Sequence, residues 1–132
     1  MMLVIAVSAS ACDPLWKISV SQSLERPLDD NCVVRILQSS EQIRSVKRNG
    51  KARLVAVLIL PPTIRAPRSE QGGGEGAFEI LQSQTEEGKV EFAFRMVGVG
   101  REGDAKFRRY VDETFTKLQA ATVDACSRQA DR

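Results

Sequence analysis

The sequence predicts an α+β domain: a two-layer sandwich in which two helices cover one face of a mostly antiparallel sheet of about five strands, in the order β-α-β-β-β-β-α. Three observations carry this expectation. Apolar residues alternate with polar ones in two well-separated segments: Trp16, Ile18 and Val20 against Lys17, Ser19 and Ser21, and Val90, Phe92, Phe94 and Met96 against Glu91, Ala93 and Arg95. That period of two belongs to half-buried strands. Asn49-Gly50 separates Ile43–Arg48 from Lys51–Leu60 in the manner of a hairpin. Two further segments repeat their apolar residues at helical spacing, Leu28, Cys32, Val33, Ile36 and Leu37 in one and Phe107, Tyr110, Val111, Phe115, Leu118, Ala121, Thr122 and Ala125 in the other.

In chain order, the first strand runs from Leu15 to Ser21. The first helix follows Pro27, whose fixed φ suits a helix start, and Asp29 and Asp30 lie in its first turn, where the helix dipole favours negative charge. The hairpin comes next, with arms Ile43–Arg48 and Lys51–Leu60 and a type I′ turn at Asn49-Gly50. Leu54 to Leu60 is apolar on both faces, so this strand is expected in the middle of the sheet. Pro61-Pro62 ends it, since proline cannot donate to the ladder. The stretch from Pro61 to Gly76, with Gly72-Gly73-Gly74-Glu75-Gly76, predicts a long mobile loop. A second hairpin pairs Ala77–Gln84 with Lys89–Val99, and the last helix begins after Asp104 and ends at Cys126.

With 132 residues, 42% of them hydrophobic and 27% charged, the chain has the composition of one ordinary globular domain. There is no internal repeat. A net charge of +2 is too small to argue for nucleic acid, and Trp16, Phe92 and Phe94 are assigned to core faces rather than to base stacking. The absence of histidine removes the commonest general base and metal ligand.

The run Met1–Ala11 is uncharged, and the chain then reads Ala9-Ser10-Ala11-Cys12. An apolar stretch closing in small residues before a cysteine resembles the lipobox of a bacterial lipoprotein precursor. Met1 to Val7 sits at the short end of the roughly 7–15 residues of a signal core, and well below the roughly 20 that span a bilayer. It departs from the usual pattern in carrying no Lys or Arg before the apolar core and in having Ala9 where leucine is more usual. The resemblance implies that residues 1–11 are a cleaved signal peptide and that Cys12 carries lipid. Residues 12–132 are then a single domain anchored to a membrane and facing the periplasm, with Asp13 pointing to the inner membrane and the outer membrane left open. In such an exported domain the remaining pair, Cys32 and Cys126, reads as a disulfide tying the two helices together. The competing expectation is an uncleaved cytosolic protein, with Leu3–Val7 as a buried strand and Cys32 and Cys126 too far apart to bond.

Motifs for chemistry are sparse. Gly72–Gly76 has the composition of a phosphate-cradling loop but lacks a downstream Lys-Ser/Thr and leads into a strand. Gly98, Gly100 and Gly103 fit Gly-x-Gly-x-x-Gly between a strand and a helix, but no parallel strand follows. They are assigned to the strand exit and turn. The acidic pairs Asp29/Asp30, Glu86/Glu87 and Asp112/Glu113 are sequence neighbours, which do not share a helix face. Arg44, Lys47, Arg48, Lys51 and Arg53 cluster about the Asn49-Gly50 hairpin, with Arg65 and Arg68 in the next loop, and form the candidate binding surface for anionic lipid or an acidic envelope protein. The expectation is a binding or assembly role without catalysis, cofactor, metal or nucleic acid. A small extracytoplasmic hydrolase or transferase without a recognisable motif stands as the alternative.

Overall fold

A computed structural model of the chain describes residues 15–50, 53–101 and 103–130, with side chains to residue 128. Its elements are β1 (Leu15–Leu24), α1 (Asp30–Gln38), β2 (Ile43–Arg48), β3 (Arg53–Ile59), β4 (Glu75–Gln84), β5 (Val90–Val99) and α2 (Ala105–Ala130). The five strands form one antiparallel sheet in the order β1-β5-β4-β3-β2. Both helices lie on one face, so the expected α+β sandwich is the observed fold. The first strand to be made becomes one edge and pairs with the last, Trp16 opposite Gly98 and Leu24 opposite Val90.

Alternation along the strands decides which side chains meet the helices. Ile18, Leu54, Ala56, Leu58, Phe78, Ile80, Phe92, Phe94 and Met96 are buried on the covered face. Four phenylalanines make the centre of the core: Phe78 lies 4.6 Å from Phe115 and 5.5 Å from Phe94 between ring centroids, and Phe92 stands edge-on to Phe94. From α2, Phe107, Val111, Phe115, Leu118 and Cys126 are buried, while Lys106, Arg108, Arg109, Asp112, Glu113 and Lys117 are exposed. The Asp104 carboxylate accepts the Phe107 N–H at 3.0 Å and so caps the start of this helix. Asp29 does the same for α1, accepting from the Cys32 N–H at 3.1 Å. The helix therefore begins just after the aspartate that the sequence places in its first turn.

Cys32 and Cys126 are joined, with a Cα separation of 5.8 Å and both residues almost wholly buried. Two glutamines, Gln119 buried and Gln82 partly buried, lock the layers together. Gln119 donates from Nε2 to the carbonyls of Val20 (2.9 Å) and Phe92 (3.1 Å), which fixes α2 over the β1–β5 seam. Gln82 accepts from the Leu28 N–H at 2.7 Å and donates to the Leu28 carbonyl at 2.9 Å, which ties the β1–α1 connection to β4.

Three local expectations change. Asn49 does not take a positive φ, and Gly50 does (83°), while β3 resumes only at Arg53, so the turn is wider than the two-residue type I′ form. The central strand is β4, with β3 beside it. The last helix continues one turn past Cys126, to Ala130.

Candidate functional site

The antiparallel arrangement gives the sheet two distinct ends. At the end where β1 finishes, the loop before α1 meets the β2–β3 hairpin and the end of β4. A cleft of about 470 Å³ opens there, lined by Asp29, Asp30, Arg48, Leu54, Ile80 and Gln82 among others. Four of its polar side chains, Asp29, Asp30, Arg48 and Gln82, are already engaged. Asp29 caps α1, Asp30 accepts from Arg48 at 2.9 Å, and Gln82 uses both ends of its amide on Leu28. The cleft is thus a hydrogen-bonded seam between the α1 N-terminus and the sheet. Among the described residues no group of three or more His, Cys, Asp or Glu side chains stands close enough together to hold a metal ion.

At the other end, where β1 begins and β5 finishes, lies the loop between β3 and β4. It has a definite fold. Ile64 N–H bonds the Pro61 carbonyl, Gly73 N–H the Ile64 carbonyl at 2.8 Å and Leu60 N–H the Gly74 carbonyl at 2.9 Å. Ile64 and Ala66 pack against the core. A Cβ on Gly72 would run into the Pro62 carbonyl oxygen. Gly72 therefore serves close backbone packing, and Gly73 and Gly74 take the positive φ (87° and 89°) that the turn requires, roles that composition alone does not distinguish from flexibility.

This end also accounts for the Gly-x-Gly-x-x-Gly spacing. Gly98 leaves room for the Trp16 indole, which lies where a Cβ would be, and Gly100 and Gly103 fall in the β5–α2 connection. Trp16 packs edge-on to Phe107 at 5.8 Å, and its Nε1–H is buried with no acceptor among the described residues. A shallow hollow of about 240 Å³ adjoins it, lined by Arg68, Glu75, Met96 and Val99 among others.

The basic residues singled out by the sequence do not form one surface. Arg48 and Arg53 lie at the hairpin end, Arg44 lies about 13 Å from Arg48 along β2, and Arg65 and Arg68 lie beyond the far end of β3, about 20 Å of strand away. Lys47 sits between Arg44 and Arg48, and Lys51 falls outside the described residues. Three of the arginines are paired: Arg44 with Glu75, Arg48 with Asp30, and Arg53 with Glu79 at 2.9 Å. Arg95 also bonds Glu79, at 2.9 Å, so an Arg53–Glu79–Arg95 cluster lies on the sheet face away from the helices. Cys12, Asp13 and the apolar run Leu3–Val7 lie outside the described residues. Gln82, Gln119 and the open-face aliphatics were not singled out by motif reasoning. The glutamines continue apolar positions, Gln82 after Phe78 and Ile80 and Gln119 after Phe115, and that spacing is the signal that could have found them.

No protein-family model matches the chain, and no curated protein matches it. A crystal structure of a protein from Deinococcus radiodurans is similar with a TM-score of 0.32 and 11% identity, over 80% of this chain and 99% of that one. A likeness at that level carries no argument about this chain. No described helix is long and apolar enough to cross a membrane.

Proposed function

We propose that the protein is a small envelope lipoprotein. It is cut before Cys12, lipidated there, held at a membrane with residues 12–132 facing the periplasm, and works by binding or assembly rather than by catalysis. The observation that carries this reading is the Cys32–Cys126 pair, whose 5.8 Å Cα separation lies within the roughly 4.4–6.8 Å that a disulfide needs. Lasting disulfides belong to oxidising compartments, and the lipobox-like start supplies a route to one. The competing cytosolic reading asked for cysteines too distant to bond, and the geometry counts against it. Asp13 favours retention at the inner membrane. The cleft at the α1 N-terminus supports binding over catalysis, because Asp29, Asp30, Arg48 and Gln82 there cap, pair and bridge.

The test is intact mass and membrane fractionation of the full chain made in a Gram-negative host, with Cys12→Ala beside it. The expected product lacks residues 1–11, carries acyl chains on Cys12, contains no free thiol and sediments with membranes, while Cys12→Ala carries no lipid. A wild-type chain that keeps residues 1–11, bears no lipid and stays in the cytosolic fraction would overturn the proposal.

A further inference from the structure

Among the described residues three large aliphatic side chains stand strongly exposed: Leu15 at 71%, Val97 at 48% and Val99 at 48%. They are neighbours. Leu15 is the cross-strand partner of Val99, and Val97 lies opposite Lys17, two residues along. By the alternation of the strands all of them project from the open face at one corner of the sheet. A lone exposed aliphatic residue is unremarkable, whereas a contiguous group marks an interaction site.

That corner is also where the chain arrives from its N-terminal cysteine. Cys12 precedes Leu15 by three residues, a tether of at most about 10 Å. The charges around it are predominantly basic. Lys17, Arg65, Arg68 and Arg101 are exposed at this end against one exposed carboxylate, Glu70, whereas Glu75 is paired with Arg44 and Asp104 caps α2. Aliphatic side chains with an excess of basic ones at the same end of the sheet, beside a lipid anchor, have the make-up of a surface that rests on anionic lipid.

We infer that this corner lies against the bilayer, with Leu15, Val97 and Val99 at headgroup depth and Lys17, Arg65, Arg68 and Arg101 over the lipid phosphates. The inference rests on the reading of Cys12 as the anchor and adds the orientation of the domain. The cleft at the far end of the sheet then opens away from the membrane. A second copy is a poorer occupant. Stacking two open faces would bury two Arg53–Glu79–Arg95 clusters, each with one uncompensated positive charge, and desolvating them is costly.

Trp16 is the sole tryptophan and follows Leu15 in β1, with its indole on the covered face against Phe107, one strand thickness from the aliphatic corner and within range of a nitroxide in the headgroups beneath it. The full-length lipidated protein is reconstituted into vesicles carrying a spin-labelled lipid with the nitroxide near the headgroup, either in phosphatidylglycerol-containing or in pure phosphatidylcholine bilayers. Quenching of Trp16 is expected to be about two-fold or more stronger in the anionic vesicles. Val97→Ser with Val99→Ser should remove about half or more of the quenching, and Lys17→Glu with Arg101→Glu should abolish the preference for anionic lipid. Both variants should still float with the vesicles and melt as the wild type does.

A wild type that floats but is not quenched leaves the anchor standing and overturns the orientation. Quenching indifferent to both variants places the contact elsewhere and overturns it too. So does an unquenched protein that sediments as a dimer and becomes a monomer in the valine variant, since a second copy then covers the corner. A chain without acyl mass that stays off vesicles overturns both this inference and the lipoprotein reading.

Discussion

Strand β3 presents two apolar faces of similar composition that meet opposite fates. Leu54, Ala56 and Leu58 face the helices and are 3%, 0% and 0% exposed, whereas Val55, Val57 and Ile59 face away and are only half-buried. Both sides of the strand are wholly apolar from Leu54 to Ile59. What differs is the layer opposite: α2 delivers Phe107, Val111, Phe115 and Leu118 to one side, and no described element lies over the other. The centre of the open face is instead the Arg53–Glu79–Arg95 cluster. A continuous apolar run therefore marks an internal strand, while its cover is set by which elements the rest of the chain can place against it.

The sharpest way to break the comparison is to loosen the cover itself. Cys32 and Cys126 are 94 residues apart, and in the chain-entropy model closing such a loop stabilises the fold by up to about 4–5 kcal/mol. Cys32→Ser with Cys126→Ser, or reduction of the native protein, should lower the midpoint of thermal unfolding by many degrees in calorimetry. An unchanged melt would show that the helical layer stays in place without its covalent tie.

Next in size is a matched pair of truncations. Phe94→Ala on the covered face removes a ring packed on Phe78, Phe92 and Phe115, and should cost about 3–5 kcal/mol. Val57→Ala on the open face should cost under about 1 kcal/mol, because little of its surroundings is lost. Urea unfolding of the two variants reads the difference directly. Equal losses would mean that the open face is as well covered as the other.

Gln82→Ala tests the seam between the layers. It leaves both the N–H and the carbonyl of Leu28 without their present partner. Because Leu28 is buried, the expected loss is about 1–3 kcal/mol, and hydrogen exchange of the Leu28 amide should accelerate. An unchanged exchange rate would show that Gln82 does not carry that bond.

Much of this architecture was legible because it depends on periodicity. The alternation around Phe92 and Phe94 and the helical spacing from Phe107 to Ala125 specify which way side chains point, and the element order follows. Cys32 and Cys126 sit on those helical faces, so their proximity was legible once both helices were placed on one side. The turn at Asn49-Gly50 was misjudged because loop width depends on how the flanking strands pair, not on the dipeptide alone. The glycines of the β3–β4 loop read as slack because composition cannot say whether a missing Cβ provides freedom or makes room for Pro62. The basic residues read as one cluster because they are close in sequence, yet a strand carries successive residues about 3.3 Å apart along its axis and on alternating faces. Arg44 and Arg48 consequently end at opposite ends of β2. The exposed corner of Leu15, Val97 and Val99 joins residues over eighty positions apart and becomes visible only through the β1–β5 register.

The smallest effect is the most informative about the open face. Glu79 accepts from Arg95 across the β4–β5 register and from Arg53 diagonally across β3, with side-chain exposures of 23% for the carboxylate and 37% and 50% for the two arginines. At that exposure the solvent shares in stabilising every charge, and exposed pairs are worth about 0.2–1 kcal/mol each. Glu79→Gln should therefore lower stability by about 1 kcal/mol or less, and the difference should shrink as salt is raised past about 0.15 M, where screening acts over about 8 Å. Denaturant unfolding at low and high ionic strength measures both quantities. A loss of about 3 kcal/mol or more that salt does not relieve is the signature of a desolvated charge cluster. That outcome would mean that the open face is covered in solution, and the contrast between the two sides of β3 would then disappear.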